Sequence, residues 1–273
     1  MDGRNLIGYN YSALAEDVME VLNPALKETL EGFFHVATVE ETDKAMQLAT
    51  EAFGEYKKTT GAQRSDFLNA IADEIMNLDD MLVQRAVQES GLPEGRIIGE
   101  RGRTVNQLRL FAKVAEESSW VDATIDLAQP DRQPIPKPDI RRMLVPIGPV
   151  VVFTASNFPL AFSTAGGDTA SALAAGNPVI VKAHESHLGT NALVAFAIQR
   201  AAQKTGMPNG VFSSLNGTGP DLGQRLAKHP LTKAVAFTGS FNAGKALFDA
   251  AAQRKEPIPV FAEKSTLSLL EIL

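Results

Sequence analysis

The 273-residue sequence contains no cysteine. That absence excludes disulfides, thiolate metal sites and any chemistry in which these residues supply a sulfur nucleophile. Basic residues are in deficit, 26 Lys and Arg against 32 Asp and Glu for a net charge of −6. A chain with an isoelectric point near 5.3 lacks the basic face a general nucleic-acid binder needs, so no nucleic-acid partner is expected. No apolar run approaches the roughly 20 residues of a membrane helix, so no membrane partner is expected. Met1-Asp2-Gly3-Arg4 opens no signal peptide, and the expected location is the cytoplasm. Glycine (21) and proline (15) are too few and scattered for a fibrous or disordered chain. What remains is 44% hydrophobic and 21% charged residues, the balance of a globular protein with a large core.

The first 120 residues read as helical. Thr38-Val39-Glu40-Glu41 is a capping box, in which hydroxyl and carboxylate each satisfy a first-turn amide. Ala45, Leu48, Ala49, Ala52, Phe53 and Tyr56 then recur at helical spacing. Phe67, Leu68, Ile71, Ile75 and Leu78 mark a second helix, Met81 to Val87 a third, and Val105, Leu108, Phe111, Ala112 and Ala115 a fourth. Between 122 and 147 the character changes. Four prolines within Ala128–Pro138 exclude helix and central strand, so this segment reads as two extended edges joined by a stiff loop. It is either an arm for self-association or a plain surface loop.

From Gly148 onward, short apolar strands alternate with helices: Val150–Phe153, Val179–Val181, Val211–Leu215, Ala234–Phe237 and Pro259–Ala262. The pattern predicts an α/β fold, a Rossmann-like doubly wound parallel sheet of about five strands with an N-terminal helical layer and a protruding hairpin arm. Such sheets bind ligands at the carboxyl ends of their strands, so the residues there are the candidates. After the first strand, Thr154-Ala155-Ser156-Asn157 offers an uncharged amide, either an oxyanion donor or a helix N-cap before Pro159. After the second, Lys182 and Glu185 either meet the hydroxyls of a ribose or lie in a solvated loop. His184 and His187 nearby lack further ligands, and no metal site is expected. Gly217 and Gly219 follow the third strand one residue off the dinucleotide spacing. Phe237-Thr238-Gly239-Ser240, with Gly244 in the next helix, ends the fourth; its helix N-terminus suits a pyrophosphate, and Ser240 alternatively is a simple N-cap. Glu263 ends the fifth, as a general base or as an exposed residue.

Taken in order, Ser156-Asn157-Phe158-Pro159, Val181-Lys182 with Glu185, Phe237-Thr238-Gly239-Ser240 with Gly244, and Glu263 resemble the NAD(P)-dependent aldehyde dehydrogenase superfamily. Glu89-Ser90-Gly91-Leu92-Pro93 resembles the family's opening, and the Pro-rich segment its oligomerisation hairpin. Phe153–Asn157 and Lys182-Ala183-His184 are most similar to the α-ketoglutarate semialdehyde (2,5-dioxovalerate) dehydrogenases. The resemblance implies NAD or NADP as coenzyme and a small aldehyde as substrate. It implies Asn157 as oxyanion amide and Glu263 as the base for the deacylating water. Lys182 and Glu185 would contact the adenosine ribose, and the Ser240 turn, with Thr154, Ser156, Gly217, Gly219, Phe237, Thr238, Gly239 and Gly244, would complete the coenzyme cradle. The domains implied are 1–121 with 148–263 for coenzyme, 122–147 as a homo-oligomer arm, and an atypical tail at 264–273. The family's nucleophile is a cysteine C-terminal to the glutamate, so a truncated or frameshifted product that binds coenzyme without turnover is expected. The alternatives are a nucleotide-binding or scaffolding module without chemistry, and a non-functional remnant.

Overall fold

A computed structural model describes residues 2–264. Six short strands open the chain: β1 (Asn5–Ile7), β2 (Asn10–Ser12), β3 (Val18–Met19), β4 (Leu22–Asn23), β5 (Glu28–Thr29) and β6 (Phe34–His35). Helices α1 (Val39–Tyr56), α2 (Gly61–Met76), α3 (Asp79–Ser90) and α4 (Glu94–Glu117) follow. The arm pairs β7 (Thr124–Asp126) with β8 (Ile140–Arg142). The rest runs β9 (Val150–Phe153), α5 (Gly167–Ala174), β10 (Val179–Lys182), α6 (Leu188–Lys204), β11 (Phe212–Leu215), α7 (Gly219–Lys228), β12 (Ala234–Gly239), α8 (Phe241–Ala252) and β13 (Val260–Lys264).

The expected five parallel strands are present in the order β13-β12-β9-β10-β11, and antiparallel β1 and β2 extend the sheet beyond β11. Alternate strand residues face opposite layers. Val150, Val152, Val179 and Val181 pack with the buried faces of α2, α4, α5 and α6. Val151, Phe153, Ile180, Val235 and Phe237 pack with those of α1, α7 and α8. A strand apolar on both faces is stable only when covered on both sides, which is why these strands read as unbroken apolar runs.

The helical reading of the N-terminus fails for residues 5–35, which form strands. Three-residue strands are too short for an alternation to register. Asn5 anchors β1 through contacts no local pattern reveals: its side chain donates to the His35 carbonyl at 3.2 Å and accepts from the Asn216 amide at 2.8 Å. The α1 capping box forms as predicted, with Thr38 Oγ1 accepting from Glu41 N at 3.1 Å and Glu41 Oε2 from Thr38 N at 2.9 Å. Of the tail at 264–273, Lys264 closes β13, and residues 265–273 lie outside the described part.

Candidate functional site at the strand ends

Chain order turns at β9. The chain steps from β9 to β10 and β11 on one side, then returns to place β12 and β13 on the other. At such a switch point the two loops diverge and leave a crevice above the carboxyl ends of the strands. The segment 154–157 leaves β9 and Gly239-Ser240 leaves β12, so they flank this crevice. In register, Phe153 neighbours Lys182 on β10 and Phe237 on β12, and Thr238 neighbours Glu263 on β13. Thr154, Ser156, Asn157, Lys182, Thr238, Gly239, Ser240 and Glu263 therefore share one rim. Ser156, Asn157, Glu185, Ser240 and Glu263 are exposed along its lip.

Lys182 is 9% exposed and has no ion pair among the described residues. Burial pushes its ammonium below the ordinary lysine value, and Glu185, opening a single 3-10 turn at Glu185–His187, pulls it back. A buried, unpaired cation at a strand end suits an oxygen-rich ligand. The Thr154 hydroxyl donates to the Lys182 carbonyl at 3.2 Å, tying the two loops. His184 is held neutral, its pKa driven down to about 4 by burial and then by His187 and Lys182. His187 Nε2 meets the Ala155 carbonyl at 2.8 Å, which fixes that ring as a brace for the loop after β9. Among the described residues no group of three His, Asp or Glu could hold a metal ion.

On the β12 side, Ser240 is the N-cap of α8, its Oγ accepting from Ala243 N at 3.4 Å. Capping uses the Ser240 oxygen as an acceptor and leaves its O–H able to donate to an anion at the α8 N-terminus. A Cβ at Gly239 would lie 2.6 Å from the Phe237 ring, so any side chain here would have to displace that ring. Gly244 is buried within α8. Gly217 lies between β11 and α7 and Gly219 opens α7; Gly219 has φ +59°, and a Cβ at Gly217 would collide with Leu222 at 2.7 Å. They serve the turn itself.

Asn157 does not cap a helix. Residues 159–166 are turns, and α5 begins only at Gly167. Sequence reading missed what holds this loop: α4. Glu100, 6% exposed, accepts from Leu160 N at 2.8 Å and Ala161 N at 2.9 Å through one oxygen. Arg96 donates to the Asn157 carbonyl at 2.9 Å and lies 5.0 Å above the Phe158 ring. Also unforeseen were Glu89 and Asp168. Glu89 caps α6, accepting from Gly189 N and Thr190 N, both at 2.7 Å, and from Thr190 Oγ1 at 2.6 Å, while Arg85 pairs with it at 2.8 Å. Asp168, in the first turn of α5, has its carboxyl raised by burial and by the Glu263 charge, with the Thr238 hydroxyl opposing. Asp168, Thr238 and Glu263 thus form a second cluster of oxygens on the rim.

The sequence model of the aldehyde dehydrogenase family matches residues 11–266. The chain belongs to the aldehyde dehydrogenase family. It is 52% identical over 269 residues to alpha-ketoglutaric semialdehyde dehydrogenase 2 of Azospirillum brasilense, covering 98% of this chain and 51% of that protein. It is 45% identical over 267 residues to the alpha-ketoglutaric semialdehyde dehydrogenase of Acinetobacter baylyi, covering 98% and 50%. The chain therefore spans about half the length of the curated relatives it matches. A 1-pyrroline-5-carboxylate dehydrogenase from Thermus, solved with bound NAD, superimposes with a TM-score of 0.82 at 25% identity, over 96% of this chain and 49% of that one. Among the described residues no helix is long and apolar enough to cross a membrane.

Proposed function

We propose that this chain carries the coenzyme-binding part of an aldehyde dehydrogenase acting on α-ketoglutarate semialdehyde, and that these 273 residues bind NAD or NADP without oxidising the aldehyde. The observation that supports the coenzyme most is the rim at the switch point, where buried, unpaired Lys182 and the α8 N-terminus flank the same crevice. Residues 1–121 and 148–263 form the coenzyme-binding unit. Lys182 and Glu185 bind ribose hydroxyls; Gly239, Ser240 and the α8 amides bind the pyrophosphate; Thr154, Ser156, Phe237 and Thr238 line the crevice, with Gly217, Gly219 and Gly244 shaping its turns and its helix. The nicotinamide, when bound, accepts a hydride from the substrate carbon.

The remaining assignments follow from charge and position. Asn157 donates its neutral amide to the oxygen on which charge develops, a role that needs no change of protonation. Glu263, exposed beside Thr238, takes a proton from the water that releases the acid product. The covalent step between them needs a nucleophile, and the sequence contains no cysteine. The semialdehyde assignment is supported by the two relatives at 52% and 45% identity. The arm at 122–147 exposes Ile125, Leu127, Ile135 and Ile140, which favours self-association through it.

Isothermal titration with NAD and NADP, run beside an aldehyde-oxidation assay on the same sample, tests the reading. Saturable binding without product is expected. Product formation would contradict the claim of no turnover, and absence of binding by either dinucleotide would contradict the cradle.

A further inference from the structure

One face of α4 runs along the loop that carries Asn157. Its members recur at helical spacing, Arg96, Glu100, Arg103 and Gln107, and each meets the loop in turn. Arg96 holds the Asn157 carbonyl and covers Phe158; Glu100 takes two loop amides; Arg103 lies 4.8 Å over Phe162; a Cβ on Gly167 would come within 2.9 Å of Gln107. Phe158 and Phe162 pack edge to face at 5.1 Å, so both guanidinium groups rest on one aromatic platform. Stacking fixes where each guanidinium sits; Arg96 spends one Nη on the Asn157 carbonyl, and its remaining N–H groups with those of Arg103 face a planar anion.

Arg96 and Arg103 are exposed, and neither has a carboxylate partner among the described residues, a lack they share with Arg64, Arg101, Arg132, Arg225 and Arg254; what sets the pair apart is the aromatic platform they share beside Asn157. Gly99 stands between them on the helix, and a Cβ built there meets nothing within 4 Å. Glycine inside a helix costs about 1 kcal/mol relative to alanine. Here it leaves a gap between two cations that are two turns apart, about 10.5 Å along the axis at 1.5 Å per residue.

Resting on the reading of Asn157 as the aldehyde-side amide, we infer that Arg96 and Arg103, across the Gly99 gap, form a carboxylate subsite that selects short aldehydes bearing a distal carboxylate over neutral ones. The anion sits over the Phe158–Phe162 platform. Its carbon chain reaches the Asn157 side-chain amide, while Arg96 holds the main-chain carbonyl of the same residue. Glu100, facing the loop with its amides satisfied, keeps Asn157 in place without neutralising the arginines.

The test uses the whole 273-residue chain, with glutarate as probe and glutaramide as its neutral counterpart. Chemical shifts of the Arg96 and Arg103 Nε–H groups and of the Asn157 side-chain amide are followed by NMR, and NAD is titrated into the same samples. Glutarate is expected to shift all three groups saturably, and glutaramide at the same concentrations is expected to leave them unmoved. Arg103→Gln should weaken glutarate at least fivefold, and the double variant R96Q/R103Q should abolish the response; both sites are exposed, so folding is expected to persist. Equal responses to glutarate and glutaramide, or an undiminished glutarate response in R96Q/R103Q, overturn the subsite. NAD binding with no glutarate response removes the subsite and leaves the coenzyme reading standing. Arginine-dependent glutarate binding with no NAD binding removes the coenzyme reading and keeps the subsite.

Discussion

The two halves of the rim are built differently. On the β9–β10 half, loop and strand ends are held by buried polar anchors far away in sequence: Glu89 on α6, Glu100 on Leu160 and Ala161, and His187 on Ala155. On the β12–β13 half the supports are local, a serine cap three residues from its amide donor and an edge strand whose Phe261 is 64% exposed. A buried carboxylate that satisfies several backbone amides fixes geometry strongly, while a serine cap contributes only about 1 kcal/mol. The difference assigns rigid placement to Asn157 and Lys182 and a more adaptable placement to Ser240 and Glu263.

The sharpest way to break this contrast is Glu89→Ala. It strands Arg85 and two α6 amides in the interior, and the expected loss is about 3–5 kcal/mol in denaturant unfolding. Ser240→Ala should cost only about 1 kcal/mol in the same assay. Comparable losses at the two sites would erase the distinction.

Next in size is a pH effect confined to the β10 side. The folded pKa of His184, about 4, lies below its ordinary value, so the protonated ring disfavours the fold. Its contribution is intact above the ordinary histidine range and is lost as pH falls toward 4. Screening of a half-buried ring reduces the linkage, so about 2 kcal/mol of acid sensitivity is expected to disappear in His184→Gln, read as stability at pH 7 against pH 4. An unchanged pH slope would remove His184 from the account.

Lys182→Met separates binding from stability. It should weaken dinucleotide binding about tenfold, some 1.4 kcal/mol, without lowering stability, because a buried ammonium without an ion pair contributes little to the fold. Loss of stability with unchanged affinity would make Lys182 a structural residue. The smallest effect is expected at Asp168. Its folded pKa is raised, so its stabilising form is the protonated one, present below the ordinary aspartate value and lost as pH rises through the folded value. Asp168→Asn should therefore add about 1 kcal/mol at pH 7 and nothing near pH 3, by thermal unfolding at both pH values. A variant less stable at pH 7 would show that the Thr238 contact outweighs burial.

Much of this fold was legible because its signals are local. The five parallel strands are unbroken apolar runs, and Thr38 and Glu41 are spaced for a capping box. The strand-end candidates Thr154, Lys182, Thr238 and Ser240 followed from one topological rule. What escaped was long-range. The bond from Glu100 to Leu160 spans 60 residues and those from Glu89 to Gly189 and Thr190 about a hundred, and no window along the chain contains both partners. Arg96 and Arg103 carry no local signal of a role; only the fold brings the Phe158–Phe162 platform beneath them. Strand β1 failed for a related reason: its three residues are specified by Asn216 and Ser213, two hundred positions on.

The most direct test of the central claim is calorimetric titration of NAD and NADP into the 273-residue chain and into Lys182→Met. The account predicts saturable binding of at least one dinucleotide by the unaltered chain and about tenfold weaker binding by the variant. No saturable heat with either dinucleotide, or equal affinity in the two proteins, would contradict it.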